Sequence, residues 1–279
     1  MEHLNNLLFS LLIYVGSFSA GLIGSLTGLG GGVIVVPILT ILFGVDIHLA
    51  AGASLISVIA TSSGAASAYV KEGYSNIRIG MFLEMATTLG AIIGASLAGI
   101  FPSNVISIIF AVILLYSAFS SVVNKNKENI SEAGEDKLAK LFRLKGEYPS
   151  MNGLKSYSVR NVPFGFGLCG LAGVISGLLG IGSGVIKVIA MDRIMKIPFK
   201  VSTTTSNFMI GVTAAASAGI YLKNGYINST LVMPVMLGVL TGAFFGAKIL
   251  SFTSSKKLKF IYTVILLIMA VEMIRNGLK

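Results

Sequence analysis

Lys187 is the residue whose surroundings most need a chemical explanation. It lies inside the apolar run from Phe164 to about Met195, three residues past the cluster Gly180-Ile-Gly-Ser-Gly184. An ammonium in a bilayer interior costs a few kcal/mol, so it needs a compensating role. Direct charge contact with an anion is one such role. Snorkelling to an interface, or pairing with a carboxylate such as Glu84, is the other. Glu84 is the one acid well inside a full-length apolar segment, and an intramembrane acid is a candidate proton carrier. It also stands close to the end of its segment, where an ion pair with Arg78 or Lys187 is an alternative.

Neutral donors accompany these charges. Ser54, Ser57 and Thr61 fall at i, i+3 and i+7, on one face of a helix. Thr205, Ser206 and Asn207 close a polar run that begins at Ser202. Hydroxyls and an amide can replace the hydration shell of an oxyanion; helix–helix hydrogen bonding is the routine alternative. Ser54, Ser206 and Asn207 come nearest the glycine clusters in sequence order and are read as part of the site. Gly30, Gly31 and Gly32, and Gly182 and Gly184 flanking Ser183, would let a small ligand approach the backbone. Helices that start after such breaks present free N–H groups and a partial positive charge. Tight helix packing is the competing reading of the glycines. The expected site is therefore these residues with Lys187, and with Glu84 as the proton-coupling candidate. No catalytic residue, metal ligand or cofactor is expected.

The elements that must position these residues follow from composition. The chain has 279 residues, 54% hydrophobic and 11% charged, where a soluble domain carries about 25% charged. That excludes an ordinary soluble domain, and the hydrophobicity excludes disorder. An apolar helix needs about 20 residues to cross a bilayer. Full-length candidates are residues 49–70, 78–100, 103–123, 201–222, 228–250 and 257–276. Two longer stretches, Leu7 to Phe43 and Phe164 to Met195, are broken by glycines, which will not hold a helix. The segments after the breaks are too short to cross untilted. The polar stretch 124–160 is the one long loop, with a short surface helix expected near 135–145.

The two apolar halves are a repeat. Tyr69-x-Lys71-x-Gly73-Tyr74-x-Asn76 recurs as Tyr221-x-Lys223-x-Gly225-Tyr226-x-Asn228, an offset of 152 residues. The same offset carries Gly28, Gly30 and Gly32 onto Gly180, Gly182 and Gly184, Ser54 onto Ser206, and Thr61 onto Thr213. The expected fold is an all-α integral membrane protein of two inverted repeats, each a Gly-broken helical hairpin plus three transmembrane helices. Residues 1–123 form the first repeat, 124–160 a cytoplasmic loop and 161–279 the second. The orientation rests on the positive-inside rule. With hairpins, Lys71, Arg78, the eight basic residues of 125–160, Arg193, Lys196, Lys200, Lys256, Lys257 and Lys259 share one face, against Lys223, Arg275 and Lys279 on the other. Single crossings give a weaker bias. Both termini are expected outside and the protein in the plasma membrane.

Several functions are excluded on the same reading. The net charge of +10 orients the protein in the membrane, so no nucleic acid is expected. Gly165-Phe-Gly-Leu-Cys-Gly170 matches a dinucleotide fingerprint but follows no strand. There is no Walker A sequence and no HExxH. Ser183 lacks a histidine base, since His3 is terminal and His48 lies at the end of a span; the chain is read as no enzyme. No cleavable signal peptide is expected, because the first Lys or Arg is Lys71. Cys169, the single cysteine, is a packing residue, and Gly90/Gly94 with Gly242/Gly246 read as close helix packing.

Gly24-Ser-Leu-Thr-Gly-Leu-Gly-Gly-Gly32-Val-Ile-Val-Val-Pro37, Gly177-Leu-Leu-Gly-Ile-Gly-Ser-Gly184 and the run Ser202–Asn207 resemble the TauE/SafE family of sulfite exporters and related anion transporters. The resemblance covers nearly the whole chain. It implies secondary transport of a small sulfur oxyanion such as sulfite or an organosulfonate, outward and driven by the proton gradient. Lys187, and Ile189 where the first half has Pro37, depart from the usual repeat motif. The partners implied are the anion, protons and the lipid bilayer, with a homodimer as an open alternative. An uncoupled anion channel is the runner-up, and a membrane component anchoring or sensing through 124–160 ranks below it.

Overall fold

The computed structural model describes residues 2–27, 31–71, 75–123, 136–150, 153–182, 184–250 and 255–278. Helix α1 (Glu2–Thr27) is followed by α2 (Gly32–Pro37), which continues as a π-helical turn over Ile38–Leu42. Three long helices come next: α3 (Ile47–Lys71), α4 (Ile77–Ala98) and α5 (Ser103–Val123). The connecting segment holds α6 (Lys137–Leu141) and the strands β1 (Gly146–Ser150) and β2 (Gly153–Tyr157). Then come α7 (Val162–Leu179), α8 (Gly184–Ile189) with its π-helical turn Ala190–Ile194, α9 (Phe199–Lys223), α10 (Ser229–Leu250) and α11 (Ser255–Gly277). Among the described residues, four helices hold windows long and apolar enough to cross a membrane: Leu7–Gly24, Ile77–Ala98, Val162–Leu179 and Ser229–Gly246. The spans are helical, as expected of an all-α membrane protein.

The 152-residue offset is written into the element boundaries. Residues 32–37, 47–71 and 77–98 reappear as 184–189, 199–223 and 229–250. The π-helical turns reappear too, at 38–42 and 190–194. Pro37 therefore does not cause the π turn, since Ile189 precedes the second one. Capping follows the same register. The Asn76 side chain accepts from the Ile79 N–H at the start of α4 (3.1 Å), and Asn228 accepts from the Thr230 N–H at the start of α10 (2.9 Å).

The halves interlock. α1 packs on α10 and α7 on α4, while α3 lies against α9 and α5 against α11. Small residues line the α1–α10 and α4–α7 contacts, whereas Ile106, Phe110 and Leu114 of α5 and Leu266 and Met273 of α11 are large and buried. On α4, Glu84, Thr87, Gly90, Ala91 and Gly94 are buried while Met81, Met85, Leu89 and Ile93 are exposed. This is the distribution of a helix bundle in lipid, where close backbone approach drives association. A Cβ on Gly90 or Gly94 would collide with the Gly170 or Val174 carbonyl of α7, and one on Gly242 with the Phe18 carbonyl of α1. The packing reading of these glycines fits the geometry.

Chain direction shows at the ends of α3 and α9. The His48 ring, at the start of α3, lies 4.8 Å from the Tyr226 ring, just past the end of α9. The Asn76 N–H, beyond the end of α3, donates to Thr205 Oγ1 near the start of α9 (3.0 Å). The two helices run in opposite directions.

The segment after residue 135 is more ordered than a polar loop. The surface helix is present but shorter than the span 135–145. β1 and β2 form an antiparallel ribbon that hydrophobicity alone did not announce. Its Tyr148 and Tyr157 join Leu144 and Val159 in a cluster with Ile79, Leu83, Val162 and Met195. Burial raises the Tyr157 phenol to about 12, against the opposing effect of a hydrogen bond from Asn76. A cavity of about 310 Å³ opens beside the ribbon, lined by Asn76, Arg78, Lys145, Glu147 and Tyr157 among others.

Candidate functional site

Each broken segment folds back along its own first helix. The Phe43 ring, past α2, meets Phe9 of α1 at 5.9 Å between centroids. In the second half the Arg160 N–H donates to the Met195 carbonyl (3.1 Å), bringing the end of the π turn to the start of α7. Gly180 ends α7 with φ +69° and Gly182 follows with φ +75°, a region open to glycine at little cost. A Cβ on Gly180 would also lie 2.6 Å from the Ala51 carbonyl oxygen.

The two breaks meet between α3 and α9. A Cβ on Gly32 would lie 2.8 Å from Ser54 Oγ, 2.7 Å from Val58 Cγ2 and 3.4 Å from the Ile181 oxygen. One on Gly182 would lie 2.6 Å from Ile210 Cγ2 and 3.5 Å from Val58 Cγ1. Val58 and Ile210, partners at the 152 offset, thus plug the space between the breaks. In the sequence both are ordinary apolar residues, and the shared offset is the one signal that pairs them.

The hydroxyls divide into two sets. Ser54 donates to the Gly32 carbonyl (3.4 Å) and Ser206 to the Gly184 carbonyl (3.2 Å), so each ties a half-helix to the long helix beside it. Ser57 and Thr61 instead bond within α3, to the carbonyls of Ser54 (2.8 Å) and Ser57 (3.0 Å). Thr205 faces Asn76, away from the breaks. Asn207 is half-buried on α9. Gly31 precedes α2, and its carbonyl accepts from the Ile34 and Val35 N–H groups. Gly30 and Ser183 lie outside the described residues.

Lys187 and Glu84 come together. Lys187 is 0% exposed and Glu84 6%, and they are the charged side chains in the buried set of described residues. Lys187 Nζ stands 4.0 Å from Glu84 Oε2 and donates to the Thr213 hydroxyl. Thr213 Oγ1 lies 2.6 Å from Glu84 Oε1 and 2.9 Å from the Met209 carbonyl oxygen. Thr88 Oγ1 donates to Glu84 Oε1 from one turn away (3.2 Å). Glu84 Oε2 is buried with no hydrogen bond. Arg78 is not the partner of Glu84: its guanidinium donates to the Arg143 carbonyl (3.2 Å). In the sequence Thr213 stands out only as the double of Thr61. Its place one helix face from Lys187 needed the fold.

At the opposite end of α3 sits a second polar group. Asp46 accepts from the His48 N–H (2.9 Å) and from Ser103 Oγ (2.8 Å), and its carboxylate meets His48 Nδ1 at 2.9 Å. His48 Nε2 faces the Ala98 carbonyl oxygen at 3.0 Å. Burial alone would raise the Asp46 carboxyl; the hydrogen bonds from Ser103 and His48 outweigh it and hold the group below its ordinary value.

A polytopic helical membrane protein with two duplicated broken helices meeting at its centre is the class this architecture defines. The sequence profile of the sulfite exporter TauE/SafE family matches residues 13–273. The chain belongs to that family. It is 27% identical to the probable membrane transporter protein YunE of Bacillus subtilis, over 97% of this chain and 98% of that one. It is 29% identical to the probable membrane transporter protein YdhB of the same organism, over 85% and 89%. It is 26% identical to the probable membrane transporter protein MJ0441 of Methanocaldococcus jannaschii, over 96% of each chain. No solved structure matches the chain. The protein is a multi-pass membrane protein of a transporter family.

Proposed function

We propose that the protein is a secondary transporter of a small sulfur oxyanion, sulfite or an organosulfonate, coupled to protons and working chiefly as an exporter. The observation that carries this reading is the buried Lys187–Thr213–Glu84 cluster beside the second of two broken helices. Residues 1–123 and 161–279 are read as inverted repeats, supported by the shared offset and the opposed directions of α3 and α9. Such repeats place substrate at the breaks, where half-helix N-termini and exposed backbone replace water around an anion. Gly31, Gly32, Gly182, Gly184, Ser54 and Ser206 are assigned to that place, and Gly30 and Ser183 join them on sequence alone. Ser57, Thr61, Thr205 and Asn207 belong to the same two helices and complete the proposed set. Lys187 supplies positive charge and Glu84 carries the proton. The segment 124–160 is placed in the cytoplasm and both termini outside, on the distribution of Lys and Arg; a homodimer is compatible with this arrangement.

Purified protein in liposomes tests the reading. An imposed pH difference is expected to move sulfite against its own gradient. Flux that only follows the sulfite gradient would make the protein a channel, and absence of flux would end the transport reading. A C-terminal reporter active only in the cytoplasm is expected to stay dark.

A further inference from the structure

Among the described residues the buried charges are Lys187 and Glu84, which sum to zero, and the Cys169 thiol of α7 is the other titratable group facing them. Lys187 is an ammonium with three donors and no acceptor. Its hydrogen bond therefore runs outward to Thr213 Oγ1. The Thr213 hydroxyl has a single hydrogen and two acceptors within reach, Glu84 Oε1 at 2.6 Å and the Met209 carbonyl oxygen at 2.9 Å. With Glu84 ionised, the hydrogen points to the carboxylate, and a directed chain runs from Lys187 through Thr213 to Glu84. With Glu84 protonated, the hydrogen can turn to Met209 without being stranded. Glu84 Oε2, 4.0 Å from Lys187 Nζ and without a hydrogen bond, is where a proton would sit.

We propose that Glu84 is a tethered counter-anion for Lys187, and that substrate replaces it only as Glu84 takes up one proton. The proposal rests on the transporter reading above and specifies its stoichiometry, its sign and the charge of its substrate. An anion arriving at Lys187 brings a second negative charge into a buried site that holds one positive one. An uncompensated buried charge is strongly unfavourable. Forming one O–H bond on Glu84, with a proton drawn from water, restores neutrality, and the same bond breaks when the anion leaves. Proton and anion thus bind together, one for one, and the favoured substrate is singly charged: bisulfite or a monosulfonate rather than sulfate. The coupling is symport. A proton gradient directed inward opposes exit, so export by this route runs when the outward gradient of the anion exceeds that of the proton.

The other half of the molecule lacks the device. The positions related to Lys187 and Glu84 by the offset are Val35 and Met236. Thr61, the double of Thr213, bonds among the described residues to carbonyls of its own helix. One charged half-site therefore sets the count at one proton for each transport cycle. Thr213 is a positioning residue in this scheme, holding the carboxylate and the ammonium in register.

The test uses full-length protein in liposomes, with methanesulfonate, sulfite and sulfate as probes and a pH indicator trapped inside. Wild-type protein is expected to carry one proton with each methanesulfonate, without electrical current, and to take sulfate at least tenfold more weakly. Glu84→Gln is expected to carry methanesulfonate downhill with current and to lose accumulation driven by pH. Thr213→Val is expected to shift the pH profile of flux, and Thr213→Ser to restore it. The wild-type proton count needs no variant. A proton count above zero but different from one, or an equal preference for sulfate, overturns the proposal while the transporter reading stands. Accumulation surviving in Glu84→Gln does the same. A count of zero overturns the proposal and the coupled reading with it. Absence of flux with all three probes overturns the transporter reading and the proposal with it.

Discussion

Removing the central charges singly and together gives a sharp measure of their coupling. At 4.0 Å and an effective dielectric constant of about 20, the Coulomb attraction of Lys187 and Glu84 is about 4 kcal/mol. Breaking a buried pair by deleting one partner costs about 3–5 kcal/mol. The two deletions are not equivalent. Glu84 alone keeps hydrogen bonds from Thr213 and Thr88 and can take a proton. Lys187 alone keeps, among the described residues, the Thr213 hydroxyl as its hydrogen-bond partner. Glu84→Met is therefore expected to destabilise more than Lys187→Val. The double change installs the residues that stand at the equivalent places in the other half, Met236 and Val35. A well-packed apolar pair of this kind is expected within about 1 kcal/mol of wild type. Cys169 provides the assay. It is the single cysteine, fully buried, so a thiol-reactive fluorescent dye reports its exposure on heating. A loss of 3–5 kcal/mol corresponds to a fall of about 6–20 °C in melting temperature. The singles should fall by this amount and the double should recover most of it. A double variant as unstable as the sum of the singles would refute the claim that these charges stabilise each other.

Other expectations follow from the packing. Gly94→Leu places a side chain on the Val174 carbonyl and is expected to abolish monodisperse protein in size exclusion. Gly167→Ala meets open space and should be neutral or stabilising by up to about 1 kcal/mol. Val58→Ala with Ile210→Ala empties the plug between the breaks and is expected to raise pH-independent anion leak in liposomes; unchanged leak would remove the plug from the permeation path. Asp46 has its folded pKa below the unfolded value of about 3.9. Its contribution is present above that value and lost as pH falls through the folded one. Melting temperature should therefore fall on the acid side, and Asp46→Asn should flatten that decline.

Much of this molecule is legible from residue order because a bilayer demands long apolar helices and punishes charge. The limits of α3 and α9 follow from unbroken apolar length. The break before Gly184 follows from glycine density. The offset, fixed by Tyr69 to Asn76 and its double, aligns both halves before any contact is known. Lys187 and Glu84 stand out by their cost alone. What order does not reveal is which neighbour meets which. Thr213 bridges the two charges only because α4, α8 and α9 converge, and Ser57 turns inward on its own helix although it shares a face with Ser54. The ribbon at 146–157 eluded the hydrophobic pattern because its strands are short and mix Glu147 and Lys155 with aromatics. The π turns have no sequence signal beyond their recurrence.

The interlocked halves set an order of assembly. Tyr14 of α1 reaches its hydrogen-bond partner Thr241 of α10 across 227 residues of sequence. During synthesis α1 enters the membrane long before α10 exists, and the same holds in reverse for no part of α7, whose partner α4 is already in place. The second half is born onto a waiting surface, and the first half must wait. Until then the face of α1 that will receive Gly238 and Gly242 is open to lipid or to other newly inserted helices. Chains stalled after the first half are thus the expected targets of membrane quality control.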